Sequence, residues 1–167
     1  MASIIKKLVE NLNLSRREDL IFGRINDIFV NLKFIEHTKN ESNANLIEFL
    51  MQPKYDCLTV NVYAAKKEPV NIRELSDFLE LHYTDYRTSL PSYYNGRFFV
   101  SLYPHDTLNM KVSHVIAFLN LLTDFLSRQG YFSNCMICGG QNSISPVFSS
   151  GIMLEMCVNC QLKDANL

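Results

Sequence analysis

Cys57-Leu-Thr-Val-Asn-Val-Tyr-Ala-Ala65 alternates without a break. Leu58, Val60, Val62 and Ala64 fall on one side of an extended chain, and Thr59, Asn61, Tyr63 and Ala65 on the other. That is the two-residue period of a β-strand with one apolar face. A strand needs neighbours, and the flanking sequence supplies candidates. Upstream, Phe34 to Thr38 and Asn45 to Gln52 are short and β-compatible, separated by the polar turn Lys39-Asn40-Glu41-Ser42-Asn43. Three strands joined by short turns predict an antiparallel meander. Downstream, Arg97-Phe-Phe-Val-Ser-Leu-Tyr103 reads as a further strand after the turn signal Asn95-Gly96, and Pro104 ends it.

The remaining periodic segments are helical. Ile4, Ile5, Leu8, Val9 and Leu12 predict a short amphipathic helix at the N-terminus. Ser15-Arg16-Arg17-Glu18 has the form of a capping box, in which Ser accepts from a backbone N–H and Glu reaches back. It predicts a second helix burying Ile21, Ile25, Ile28, Phe29 and Leu32, with Gly23 as its weak point. Asn71 caps a helix through about His82, with Ile72, Leu75, Phe78 and Leu79 inward. The longest helix is predicted over Met110 to Gln129. It has a broad apolar face from Val112 to Leu126 and Gly130 as its stop. The fold class is α+β: a two-layer sandwich, one antiparallel sheet with helices on one face. This domain covers residues 1–130.

From about Ser15 to Arg128 the pattern resembles the type III secretion chaperone-like fold, and more closely its stand-alone YbjN-like members. The likeness lies in the capped first helix, the meander ending in Leu58-Thr-Val-Asn-Val-Tyr63, and the Leu-rich helix. It continues in Arg97-Phe-Phe-Val-Ser-Leu-Tyr103 before a long amphipathic helix. A terminal zinc ribbon is not part of that family's usual plan. The resemblance implies a binding module that dimerises or holds partner segments, not an enzyme.

Residues 131–167 carry Cys135-Met-Ile-Cys138-Gly-Gly and Cys157-Val-Asn-Cys160, two Cys-x-x-Cys pairs separated by eighteen residues. Zinc takes four soft ligands in a tetrahedron, and each pair can place two thiolates on one side of the ion. Between the pairs, Ser145 to Phe148 and Ile152 to Met156 flank Ser149-Ser150-Gly151, the layout of a zinc ribbon hairpin. Cys135, Cys138, Cys157 and Cys160 are therefore the expected ligands of a structural Zn2+, with no position left for water. Two disulfides, four free thiols, or a redox role for one pair are the alternatives. With no linker after Gly130, the ribbon is expected to pack against the last helix. Its apolar residues, Phe148 and Met153 among them, must cover either the main domain or a partner.

The bulk numbers exclude some classes. The chain has 167 residues, is 47% hydrophobic and 20% charged, so it can bury a core without staples and is not disordered. A net charge of −1, and only one cation after Tyr131 (Lys163), weigh against nucleic acid as the main partner. The N-terminus lacks a signal-peptide layout and no apolar run reaches a bilayer span, so the chain reads as cytoplasmic. It could also be the cytoplasmic part of a larger, membrane-anchored protein.

No phosphate loop, nucleophile elbow or paired-carboxylate motif is present. His105-Asp106 could be a base and its orienter, or a turn and helix cap, and the second reading is simpler. Cys57 reads as a buried strand residue. Tyr83, Tyr86, Tyr93 and Tyr94, with Arg87 and Arg97, form a tyrosine-rich loop of the types enriched at interface anchors. The expected function is a non-enzymatic protein-interaction or chaperone-like adaptor, with a protein partner and a possible homo-oligomer. A nucleic-acid-associated regulator using Lys6, Lys7, Arg16, Arg17 and Arg24 is the alternative.

Overall fold

The computed structural model describes residues 2–35, 57–64, 71–94, 96–104, 110–149 and 152–164. The expected strand Asn45 to Gln52 and the His105-Asp106 pair lie outside these residues. The chain opens with helix α1 (Ala2–Leu12) and continues through strands β1 (Ser15–Arg17), β2 (Leu20–Ile25), β3 (Ile28–Ile35) and β4 (Cys57–Tyr63). Helix α2 (Ile72–His82) is followed by β5 (Tyr86–Thr88), β6 (Ser92–Tyr94) and β7 (Arg97–Pro104). Helix α3 (Val112–Arg128), the hairpin β8 (Ile144–Ser149) and β9 (Ile152–Cys157), and α4 (Val158–Asp164) complete it.

The first seven strands form one sheet in the order β1-β2-β3-β4-β7-β5, with β6 also on β7, and every pairing is antiparallel. One face carries the helices. Leu58, Val60 and Val62 pair with Leu102, Val100 and Phe98 of β7 and sink into the core with Leu119 and Leu122 of α3. The alternation read from residues 57–65 is thus a sheet facing helices. Both predicted helix signals after it are present. The Asn71 side chain accepts from the Glu74 N–H at 3.2 Å. Gly130 ends α3 at φ 79°, where the Tyr131 N–H returns to the Leu126 carbonyl.

The second predicted helix is corrected. Residues 15–32 are not a capped helix but the strands β1, β2 and most of β3. Glu18-Asp19 turns β1 into β2, where Arg17 pairs with Leu20. Asn26-Asp27 turns β2 into β3, with both residues at positive φ (49° and 62°), the two-residue turn whose twist suits a hairpin. Ile21, Ile25, Ile28, Phe29 and Leu32 also fit a helical stripe, but the sheet divides them: Ile21, Ile25, Ile28 and Leu32 face the main core, and Phe29 is buried with Leu20 on the other face. A strand covered on both faces loses its alternation. Gly23 packs closely on Leu14, which precedes β1: an added Cβ would lie 2.8 Å from Leu14 Cδ2.

The tyrosine-rich loop is likewise more regular than expected, since it contains β5 and β6. The C-terminal hairpin does not sit on α3, the long helix expected to receive it. It lies across the opposite face of the sheet, where Met153 packs with Leu20, Phe29 and Tyr63.

The Asn26-Asp27 turn generates a test that separates hairpin from helix. Asp27→Gly relieves a left-handed residue and should raise unfolding free energy by about 0.5–1 kcal/mol. In a helix interior the same change would lower it by a similar amount. Urea unfolding of the two proteins decides the sign.

Candidate metal centre

The first cysteine pair sits on a tight turn. The Gly139 N–H reaches the Cys135 carbonyl at 2.8 Å, and the Cys135 N–H reaches the Gly140 carbonyl at 2.7 Å. Gly139 holds φ 73°, the left-handed conformation that the sequence after Cys138 anticipates. The second pair is built differently. Cys157 ends β9 and Cys160 lies one turn into α4, so a strand end and a helix present these two sulfurs.

The four side chains converge. The sulfurs of Cys135, Cys138, Cys157 and Cys160 all lie within 4.8 Å of one another, and Cys138 Sγ to Cys157 Sγ is 3.7 Å. None is in a disulfide. Such a set can hold one metal ion, and an all-sulfur donor set suits a soft or borderline-soft cation. Cys135, Cys157 and Cys160 are buried, while Cys138 is exposed.

Burial opposes ionisation of Cys135, but backbone N–H groups of Cys157, Cys138 and Ile137 outweigh it and bring the thiol down to about 6. Cys160 is pushed up to about 12, chiefly by its contact with Cys157 and then by burial and the other sulfurs. The cluster therefore concentrates negative charge at one sulfur and retains a proton at another. A cation entering it displaces that proton. The lone Cys57 is unlike these. Half-buried beside the Tyr103 and Ser101 hydroxyls, it has its pKa raised by burial, which does not favour a nucleophilic thiolate.

The C-terminal region that carries the cysteines is bound to the sheet by polar contacts invisible in the sequence. Glu155, fully buried, accepts from Arg24 Nε at 2.8 Å and Nη2 at 2.6 Å through its Oε1. Burial raises the Glu155 pKa, and Arg24 only partly offsets it. Asn31 donates to the Met153 carbonyl at 3.2 Å. The Ser133 hydroxyl accepts from the Phe29 N–H at 2.8 Å and donates to the Asp27 carbonyl at 3.1 Å. Arg17 lies 3.9 Å above the Phe148 ring. A carboxylate inside the apolar run Ile152 to Cys157 signals a buried partner. Its being Arg24, 131 residues away, is information the chain order does not carry.

Most of the expected partner-binding side chains are used internally. Tyr83 and Tyr86 are buried in the main core. Tyr83 Oη donates to the His114 carbonyl and Tyr86 Oη accepts from the Lys111 N–H. Met153 is buried and Phe148 is half-buried against the sheet. Tyr93 packs on Phe98 with ring centroids 4.6 Å apart. Tyr83, Tyr86 and Met153 are buried, and Tyr93 and Phe148 are half-buried. Tyr94 is 74% exposed.

Fold and site together define an α+β domain with a four-cysteine hairpin laid on its sheet. No protein-family model matches the chain, and no curated protein or solved structure is significantly similar to it. The chaperone-like resemblance thus has no family match behind it, and the capped helix that carried part of it is a hairpin. Among the described residues no helix is long and apolar enough to cross a membrane.

The Arg24–Glu155 contact is asymmetric, since Arg24 is 43% exposed and Glu155 is 0% exposed. Arg24→Met strands a buried carboxylate and should cost about 2–4 kcal/mol. Glu155→Gln keeps an acceptor without the buried charge and should stay within about 1 kcal/mol of the parent. Chemical denaturation of both variants measures the difference.

Proposed function

We propose that the chain is a non-enzymatic protein-interaction domain, of the chaperone-like adaptor kind, whose C-terminal hairpin is locked by one structural zinc ion. The convergence of four sulfurs from a turn, a strand end and a helix carries the metal part of this reading. Four ligands at the usual zinc–thiolate distance of about 2.3 Å stand about 3.8 Å apart in a tetrahedron. The 3.7 Å between Cys138 and Cys157 matches that spacing. With four thiolates bound, no coordination position remains for water, so the ion holds structure and does no chemistry.

The interaction part rests on what the hairpin leaves uncovered. It closes the β2–β3 side of the sheet, while Phe99 and Tyr94 stay exposed on β7 and β6. Exposed aromatic side chains on a rigid sheet are the kind of group that anchors a protein partner. The nucleic-acid alternative has less support. Arg24 is held by Glu155, Arg17 stacks on Phe148, and Lys6 pairs with Glu10 at 3.8 Å, so most of its expected phosphate contacts are engaged within the molecule.

Metal analysis of protein purified under reducing conditions should find one zinc per chain, lost on Cys135→Ser. Chelation should speed amide exchange across β8 and β9 while the β3–β4–β7 pairings stay protected. A metal-free protein with an equally protected hairpin would refute the zinc. Cross-linking in a native lysate should retain proteins that a Phe99→Ala, Tyr94→Ala double variant does not. Equal retention by both would refute the interaction reading.

A further inference from the structure

The four clustered cysteines are not equally sheltered. Cys135, Cys157 and Cys160 are buried, and Cys138 is exposed. A cleft of about 280 Å³ reaches the cluster, and of the four only Cys138 and Cys157 line it. Gly140 and the exposed residues Asn142 and Asn159 form part of its walls. A Cβ at Gly140 would stand 3.4 Å from Cys138 Sγ, so glycine there leaves the sulfur uncovered. The two sulfurs that share the cleft are 3.7 Å apart.

A thiolate that an oxidant can reach is open to oxidation, and a second sulfur beside it turns that oxidation into a disulfide. Cys138 meets the first condition and Cys157 the second. We propose that the cluster is a redox-released clamp, in which hydrogen peroxide entering the cleft joins Cys138 to Cys157 and withdraws both from the metal. The inference rests on the zinc reading of the cluster and adds its regulation. Cys138 Sγ attacks the O–O bond, an S–O bond forms, and hydroxide leaves. Cys157 Sγ attacks the Cys138 sulfur, the S–S bond forms, the S–O bond breaks, and a second hydroxide leaves. Two electrons pass from the two sulfurs to the peroxide, and two protons from solvent convert both hydroxides to water. Cys135 and Cys160 remain, half of the ligand set that a structural zinc requires.

The disulfide and the metal tie different elements. A Cys138–Cys157 bond still joins the first cysteine turn to the end of β9, where the Met136 N–H meets the Glu155 carbonyl at 2.9 Å. Cys160, on α4, loses its tether. It is the only buried side chain among the described residues of that helix, and Gln161 still donates to the Met156 carbonyl at 2.7 Å. Oxidation therefore frees α4 and leaves β8 and β9 docked, whereas chelation, which makes no disulfide, loosens the hairpin itself.

The test is titration of the zinc-loaded chain with hydrogen peroxide beside a zinc-indicator dye, followed by digestion without reduction to map disulfides. One zinc should be released for each Cys138–Cys157 disulfide, and dithiothreitol with added zinc should reverse both. Amide exchange should quicken over Val158–Asp164 and not over β8 and β9. Cys138→His keeps a three-cysteine, one-histidine ligand set and should release zinc about tenfold more slowly. Asn159→Trp keeps all four cysteines, covers the cleft and should slow release by about the same factor. It decides the matter should Cys138→His fail to hold zinc. Cys57→Ser should match the parent. Zinc kept in peroxide, a disulfide on another pair, sulfinic or sulfonic acid without a disulfide, or release from Asn159→Trp at the parental rate would each overturn the proposal. A chain holding no zinc before peroxide is added overturns the zinc reading and the proposal together, and metal analysis alone distinguishes that failure from the others.

Discussion

Glu155 is buried completely between two layers, and its position depends on Arg24 from the opposite layer. A carboxylate without solvent requires hydrogen bonds with good geometry. Arg24 provides two, both to Oε1. The contact therefore sets where β8 and β9 lie. Met153 then falls over Phe29 and Tyr63, Phe148 comes under Arg17, and Ser133 meets the Phe29 N–H. Apolar contact supplies most of the driving force for docking, but it is nondirectional. The ion pair and the Asn31 and Ser133 hydrogen bonds supply the register.

The cysteine cluster and the docked hairpin support each other. Sulfurs from a turn, a strand end and a helix meet only when β8–β9 and α4 are in place. A metal in the cluster would tie the Cys135 turn to the end of β9. The Met136 N–H already bonds the Glu155 carbonyl at 2.9 Å, so the same strand residue serves both the sheet contact and the cysteine turn. Local metal-dependent order is thereby coupled to the second layer, whose apolar cluster of Leu20, Phe29, Tyr63 and Met153 is separate from the main core.

Several elements were legible in the residues themselves. The Asn71 cap, the Gly130 stop and the alternation from Cys57 to Ala64 are local signals whose physics acts within a few residues. The hairpin at Asn26-Asp27 was open to a better reading, because two residues that tolerate positive φ between apolar runs are a turn signal. It was obscured by Leu20 and Phe29, whose burial against the second layer fills the polar positions of an ordinary one-sided strand. The tyrosines misled for a related reason. Tyr is amphipathic, and only the fold shows that Tyr83 and Tyr86 spend their hydroxyls on the backbone around α3.

By itself the sequence determined the α+β class, the helices from Ile72 and Val112, and four cysteines spaced to meet at one point. Each of these follows from periodicity, capping or ligand spacing, which act over short distances along the chain. The tertiary structure alone decided that the hairpin lies on the helix-free face of the sheet and not on α3. It also decided that Met153 is buried and Phe148 half-buried there, and that Phe99 and Tyr94 are left exposed on the uncovered half. Those outcomes depend on contacts such as Arg24 with Glu155, between residues 131 positions apart. Their energy exists only once both layers are built, because only then is water excluded from between them.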